Sequence, residues 1–238
     1  MSPKGGGGPG GTGGGRPEDP KGPRRGIGAG GARSAASRLR AVRIALAHDL
    51  VRAGRILDRR GMIAADQGDL SARLGGERVL ITRRGRRKGD LTPRDFVEMG
   101  VIEPRDSPVR GAASPEYRMH LAAYAVRRDV EAIVHAHPVS LTAYAMRGHA
   151  PDFSRVDEAR TSLGRVGFVA YHPSGTEELA EAVALVLGPV AGAPPLSVLV
   201  LQNHGALAVG SNVEEAVCRL EIAEHLAASL LLAERGGR

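Results

Sequence analysis

The chain has 238 residues, 42% hydrophobic and 3% aromatic with no tryptophan, which suffices for one domain packed by Leu, Val, Ile and Ala rather than by rings. Of its formal net charge of +7, positions 1–40 carry eight basic against two acidic residues; the rest is nearly neutral and poor in stacking platforms, which excludes a dedicated nucleic-acid groove. The sequence shows neither the apolar core of a signal peptide nor the roughly 20 apolar residues of a membrane span, and its single cysteine, Cys218, allows no intrachain disulfide and fits a reducing, cytoplasmic compartment.

Residues 1–35 are dominated by Gly, Pro and Arg, too little apolar surface to offset the entropy of ordering them, so they read as a disordered basic tail ahead of a domain over 36–238. From Ala36, the three- and four-residue spacing of Leu39, Val42, Leu46, Leu50, Ala53 and Leu57 predicts an amphipathic helix that Gly61 ends. Leu70–Leu74 and Val79–Thr82 flank Gly75-Gly76 and read as a hairpin. Thr92-Pro93 and Ser114-Pro115 each look like a helix start, a capping residue before a first-turn proline.

Ala132–His137 is apolar and extended in character, and Pro138 separates it from a helical stretch over Val139–Arg147. Phe168–Ala170 reads as a strand, Glu177–Leu187 as a helix after Ser174-Gly175-Thr176, Ser197–Leu201 and Ala206–Val209 as strands, and Val213–Ala233 as a closing helix in which Cys218 is expected to be a small core residue. The order predicts an α/β fold, a central sheet covered by helices on both faces. Short turns between strand neighbours make it mixed and largely antiparallel rather than doubly wound. The folded part has no glycine-rich nucleotide loop.

His135 and His137, two residues apart on a strand, project from one face and suit two ligands on one metal. His204, between Asn203 and Gly205 at the end of another strand, supplies a third imidazole and leaves a coordination position for substrate. Glu116, at a helix start, is the carboxylate for acid/base work, its protonation tuned between the helix N-terminus and burial. His48, His120 and His225 fall within helices, where packing or solvent roles are expected, and His172 stands near the Ser174 turn.

Six segments in order carry a resemblance: Gly68-Asp69-Leu70-Ser71; Ile81-Thr82 with Gly85 and Lys88-Gly89-Asp90-Leu91-Thr92-Pro93; Ser114-Pro115-Glu116 with Met119-His120-Leu121; His135-Ala136-His137-Pro138; Gly175-Thr176-Glu177-Glu178-Leu179; and Asn203-His204-Gly205. Together they resemble the class II aldolase/adducin family over roughly residues 40–230. The resemblance implies a three-layer α/β/α sandwich and a homotetramer with sites between subunits. It implies zinc, or another divalent cation, on His135, His137 and His204, and Glu116 as the acid/base that also ligates the resting metal. It further implies cleavage of a ketose 1-phosphate to dihydroxyacetone phosphate and an aldehyde through a metal-bound enediolate.

For the substrate's anion the resemblance points to Gly68, Asp69, Thr82, Arg84, Gly85 and Ser114. The pattern departs from the family here: Asp69 stands for an Asn and puts a negative charge beside the anion, and Pro115 replaces a hydroxyl-bearing donor. Arg83 or Arg84 either grips an anion in compensation or points to solvent. A decarboxylase, dehydratase or epimerase on a carboxylated or nonphosphorylated sugar is therefore an alternative, as is a noncatalytic adducin-like scaffold, which retention of the metal ligands counts against.

Overall fold

The computed structural model describes residues 29–236, with side chains for 36–234. Most of the expected tail lies outside the described residues. The first helix, α1 (Ala29–Arg59), reaches back past Ala36 through an alanine-rich stretch with high helix propensity. Its expected stripe is buried from Leu50 through Ala53 to Leu57, whereas Leu39 and Val42 are about half exposed, at 45% and 46%.

The remaining elements follow in chain order. They are β1 (Asp69–Gly75), β2 (Arg78–Thr82), β3 (Phe96–Gly100), the single turn α2 (Val109–Ala112), α3 (Tyr117–Val126), β4 (Ala132–Ala136), α4 (Val139–Met146), α5 (Asp157–Ser162), β5 (Arg165–Val169), α6 (Glu177–Leu187), β6 (Leu196–Leu201), β7 (Gly205–Gly210) and α7 (Val213–Gly236). The strands form one sheet in the order β3-β2-β1-β4-β7-β6-β5. Every pairing is antiparallel except β5 with β6, the mixed, mostly antiparallel sheet that the short turns imply. Alternate strand residues feed two cores. Leu70, Val134 and Ala208 pack with α1, α4 and α7 on one face, and Ile81, Ile133 and Leu207 with α3 and α6 on the other. The result is a three-layer α/β/α sandwich.

Two expectations need correction. No helix follows Thr92-Pro93: the Asp95 carboxylate accepts from both the backbone N–H and the hydroxyl of Thr92, at 2.9 and 2.7 Å. That closes a tight turn which delivers the chain into β3, a strand the sequence reading missed. Cys218 is exposed rather than in the core, because the inner face of α7 is taken by Ala216, Val217, Leu220 and Ala223.

Candidate metal centre

Antiparallel pairing brings the chemistry to one edge of the sheet. The start of β1 lies beside the end of β4, with Asp69 opposite His135, and the start of β7 lies on the other side, with Ala206 opposite Ala136. His135 ends inside β4, His137 follows it by two residues, and His204 occupies the β6–β7 turn after Asn203, whose φ is +55°. Gly205 is required at the crossing of these segments. A Cβ there would lie 2.5 Å from the Ala136 carbonyl oxygen and 2.7 Å from His137 Cδ2, closer than atoms pack. Glu116 arrives from the opposite layer: Ser114 N–H donates to Thr82 O at 2.9 Å, tying the residues before α3 to the end of β2.

The four side chains converge. His135 Nε2 lies 2.9 Å from Glu116 Oε2 and 3.2 Å from His137 Nε2, and His204 Nε2 lies 3.1 Å from Glu116 Oε1. His135 Nδ1–H donates to Ala206 O at 3.0 Å, which directs Nε2 at its neighbours, as a carbonyl partner does for a metal-bound histidine. One potential ligand atom from each of the four groups lies within 4.8 Å of the others.

Electrostatics bears out the convergence. Burial alone would raise the Glu116 carboxyl, but the charge and hydrogen bond of His135, with His204 beyond, outweigh it and hold the group well below the usual carboxylate range. Burial would depress His135, yet Glu116 and Asp69 push it up to about 9. His137 is driven down to about 4 by burial and by the two neighbouring imidazoles.

These residues fit a divalent metal ion. The Nε2 atoms of His135 and His137 stand 3.2 Å apart, and Glu116 Oε1 is buried without a hydrogen bond of good geometry. A cation among three imidazole nitrogens and a carboxylate oxygen would satisfy that oxygen, and that donor set suits zinc or a neighbouring first-row ion.

A cavity of about 380 Å³ opens onto the cluster, lined among others by Gly68, Asp69, Arg84, Gly85, Ser114 and Ser174. Thr82 is not brought to it: the side chain is fully buried and its hydroxyl accepts from Leu70 N–H at 3.3 Å, bracing the hairpin. Asp69 does line it, but the carboxylate is closed off. Oδ2 accepts from Ser114 Oγ at 2.5 Å, Oδ1 lies 2.6 Å from His120 Nε2, and the residue is 1% exposed. His120 Nδ1 in turn lies 2.7 Å from Ser71 Oγ, which reaches the Tyr124 hydroxyl at 2.9 Å. Burial would raise the Asp69 carboxyl, but His120 and then His135 bring it below the ordinary value. Asp69 thus stays ionised behind partners that no sequence pattern placed beside it, and the packing role expected of His120 is a polar one. His48 and His225 are exposed.

The model of the Class II Aldolase and Adducin N-terminal domain matches residues 48–231. Methylthioribulose-1-phosphate dehydratase of Acidiphilium cryptum is 31% identical over 189 residues, covering 76% of this chain and 87% of its own. L-fuculose phosphate aldolase of Methanococcus vannielii is 32% identical over 149 residues, covering 63% and 76%. Among solved structures, L-fuculose-1-phosphate aldolase from Thermus thermophilus superposes with a TM-score of 0.65 at 29% identity, over 85% of this chain and 98% of that one. The YgbL protein of Escherichia coli, described as a putative aldolase/epimerase/decarboxylase, shares the fold with a TM-score of 0.70 at 23% identity over 80% and 90%.

Proposed function

We propose, for a chain that belongs to the class II aldolase and adducin family, a zinc-dependent aldehyde-lyase that cleaves a ketose 1-phosphate to dihydroxyacetone phosphate and an aldehyde. The observation that carries this is the His135, His137, His204 and Glu116 cluster, of which Glu116, His137 and His204 line one cavity. A divalent cation, when bound, supplies Lewis acidity that favours negative charge developing on substrate oxygens. The imidazoles would hold it, with Glu116 as a further ligand in the absence of substrate.

Carbon–carbon cleavage takes a proton from the hydroxyl β to the carbonyl and returns one to the carbon that loses its bond. Glu116 is the carboxylate that joins the three histidines at this cavity, and those histidines keep it ionised and thus able to accept a proton. We assign it the proton delivered to carbon. The retained ligands argue against a noncatalytic scaffold.

A second reading, dehydration of a related ketose phosphate, is favoured by the likeness to the A. cryptum dehydratase. There the same carboxylate would remove the proton α to the carbonyl while a β-hydroxyl leaves. Supplying ketose 1-phosphates and analysing products separates the two: dihydroxyacetone phosphate with an aldehyde supports the aldolase, and a dehydrated product of unchanged carbon number supports the dehydratase. Neither product from any phosphorylated ketose would overturn both. We place the protein in the cytoplasm, where a lone exposed thiol stays reduced; among the described residues no helix is long and apolar enough to cross a membrane. A homotetramer, in keeping with the half-exposed apolar residues Leu39, Val42 and Ile44 on α1, would appear in sedimentation at about four chain masses.

A further inference from the structure

Helix α3, which Glu116 precedes, meets β1 across a row of polar groups that the chemistry above does not use. Leu70, Ala72 and Leu74 of β1 pack in the core shared with α1, so the alternate residues Asp69, Ser71 and Arg73 face α3. Glu116, His120 and Tyr124, four residues apart, share one side of that helix. The two rows meet in order. Ser114 Oγ donates to Asp69 Oδ2 at 2.5 Å and accepts from Glu116 N–H at 3.3 Å. His120 Nε2 lies 2.6 Å from Asp69 Oδ1, its Nδ1 lies 2.7 Å from Ser71 Oγ, and Ser71 Oγ is 2.9 Å from the Tyr124 hydroxyl. Arg73 ends the row: its Nη2 donates to the Tyr124 carbonyl oxygen at 2.7 Å, and its guanidinium carbon stands 4.8 Å from the centre of the Tyr124 ring.

Asp69, Ser71, His120 and Tyr124 are each at most 1% exposed, on the face of the sheet where Ile81, Met119 and Ile133 pack. A neutral His120 that donates from Nε2 to Asp69 accepts at Nδ1 from Ser71, whose oxygen accepts from Tyr124, so one arrangement of protons satisfies all four groups. Burying them costs desolvation that apolar side chains of the same size would avoid, and that cost is offset only while every partner is met. Apolar contacts tolerate a small slide or roll of a helix, whereas hydrogen bonds weaken steeply with misalignment. A slide of one residue along α3, ~1.5 Å, would break the pairs at Asp69, Ser71 and Arg73 together. Glu116 stands at the end of the helix so fixed, 2.9 Å from His135 and 3.1 Å from His204, where ~0.5 Å of error matters.

We propose that His120 is a positioning residue: its bonds to Asp69 and Ser71 set the register of α3 on β1 and so hold the Glu116 carboxylate against the histidine cluster. This rests on the role given to Glu116 above, but its test needs neither metal nor substrate. Crystal structures of the full-length protein are compared with those of His120→Leu, which fills the space without hydrogen bonds, and His120→Gln, which keeps an amide N–H for Asp69. The expected result is a Glu116 carboxylate displaced by at least ~0.5 Å from His135 and His204 in His120→Leu and restored in His120→Gln, with the hydrogen bond from His135 to Ala206 unchanged in both. Spectra of protein carrying 15N-labelled histidine, taken at one pH, should agree: the His135 and His204 side-chain signals move in His120→Leu and return in His120→Gln. Melting temperatures are measured alongside, since a merely structural residue would alter stability and leave Glu116 in place. If His120→Leu does not fold, Ser71→Ala, which removes one buried oxygen, should displace Glu116 likewise. A Glu116 carboxylate in its wild-type place in the folded variant, or a displacement that His120→Gln does not reverse, would overturn the assignment. Wild type that binds no metal or cleaves no ketose 1-phosphate, with the displacement and its reversal intact, would instead count against the proposed function alone.

Discussion

Replacing Gly205 by Ala adds one methyl group at the crossing of β4 and β7, where it meets a backbone oxygen at 2.5 Å and the His137 ring at 2.7 Å. The carbonyl belongs to the central strand and cannot swing away cheaply, so the strands must part or the ring must move. Overpacking of this kind costs ~1–3 kcal/mol, and for a domain of this size each kcal/mol lowers Tm by about 2–4 °C. The displaced ring matters separately, since metal sites tolerate only ~0.2 Å of error in ligand distance. Differential scanning calorimetry of metal-free protein should therefore show a Tm lower by about 2–12 °C, and chelator competition should show weaker zinc binding. Gly111→Ala is the control: its Cβ meets nothing within 4 Å in the short turn α2. A Gly205→Ala protein with the Tm and metal affinity of the control would refute the close-packing argument.

Other outcomes follow from the same geometry. In chelated protein the raised His135 contributes stability that is full below its unfolded value near 6.5 and is lost as pH rises toward about 9. Metal binding must displace that proton, so zinc affinity should climb over the same interval; thermal melts from pH 6.5 to 9 should fall without metal and hold or rise with it, and parallel slopes would contradict the pairing. Asp69→Ala strips His120 and Ser114 of their buried acceptor and should cost about 3 kcal/mol in urea unfolding; a loss below about 1 kcal/mol would mean that the His120 pair is not stabilising. Glu116→Gln should retain metal while losing ~10²–10⁴-fold in turnover, measured by coupled detection of dihydroxyacetone phosphate, and near-wild-type turnover would remove it from proton transfer.

Much of the fold was legible because the apolar spacing of α6 and α7 and the Gly75-Gly76 turn are local signals that tertiary packing reinforces. The three histidines were legible for a similar reason: a two-residue spacing at the end of a strand sets His135 and the residue just past it, His137, to one side, and a glycine after His204 marks a turn beside them. The failures came where a side chain chose a partner that spacing does not encode. Thr92-Pro93 carries a helix-start pattern, but Asp95 captured Thr92 and the chain entered β3 instead. Asp69 gave no sign of its hydrogen-bond partners, which lie 45 and 51 residues away. Lys88 was legible only as part of a shared segment, because its burial depends on α1 lying across its turn.

Metal content bears most directly on the central claim. Elemental analysis of protein purified without chelators should find about one zinc per chain in wild type, retained in Glu116→Gln and lost in His135→Ala, because three imidazoles hold the ion and the carboxylate contributes chiefly to proton transfer. Wild type that carries no metal and takes up none from added divalent ions would contradict the assignment of His135, His137 and His204 as ligands.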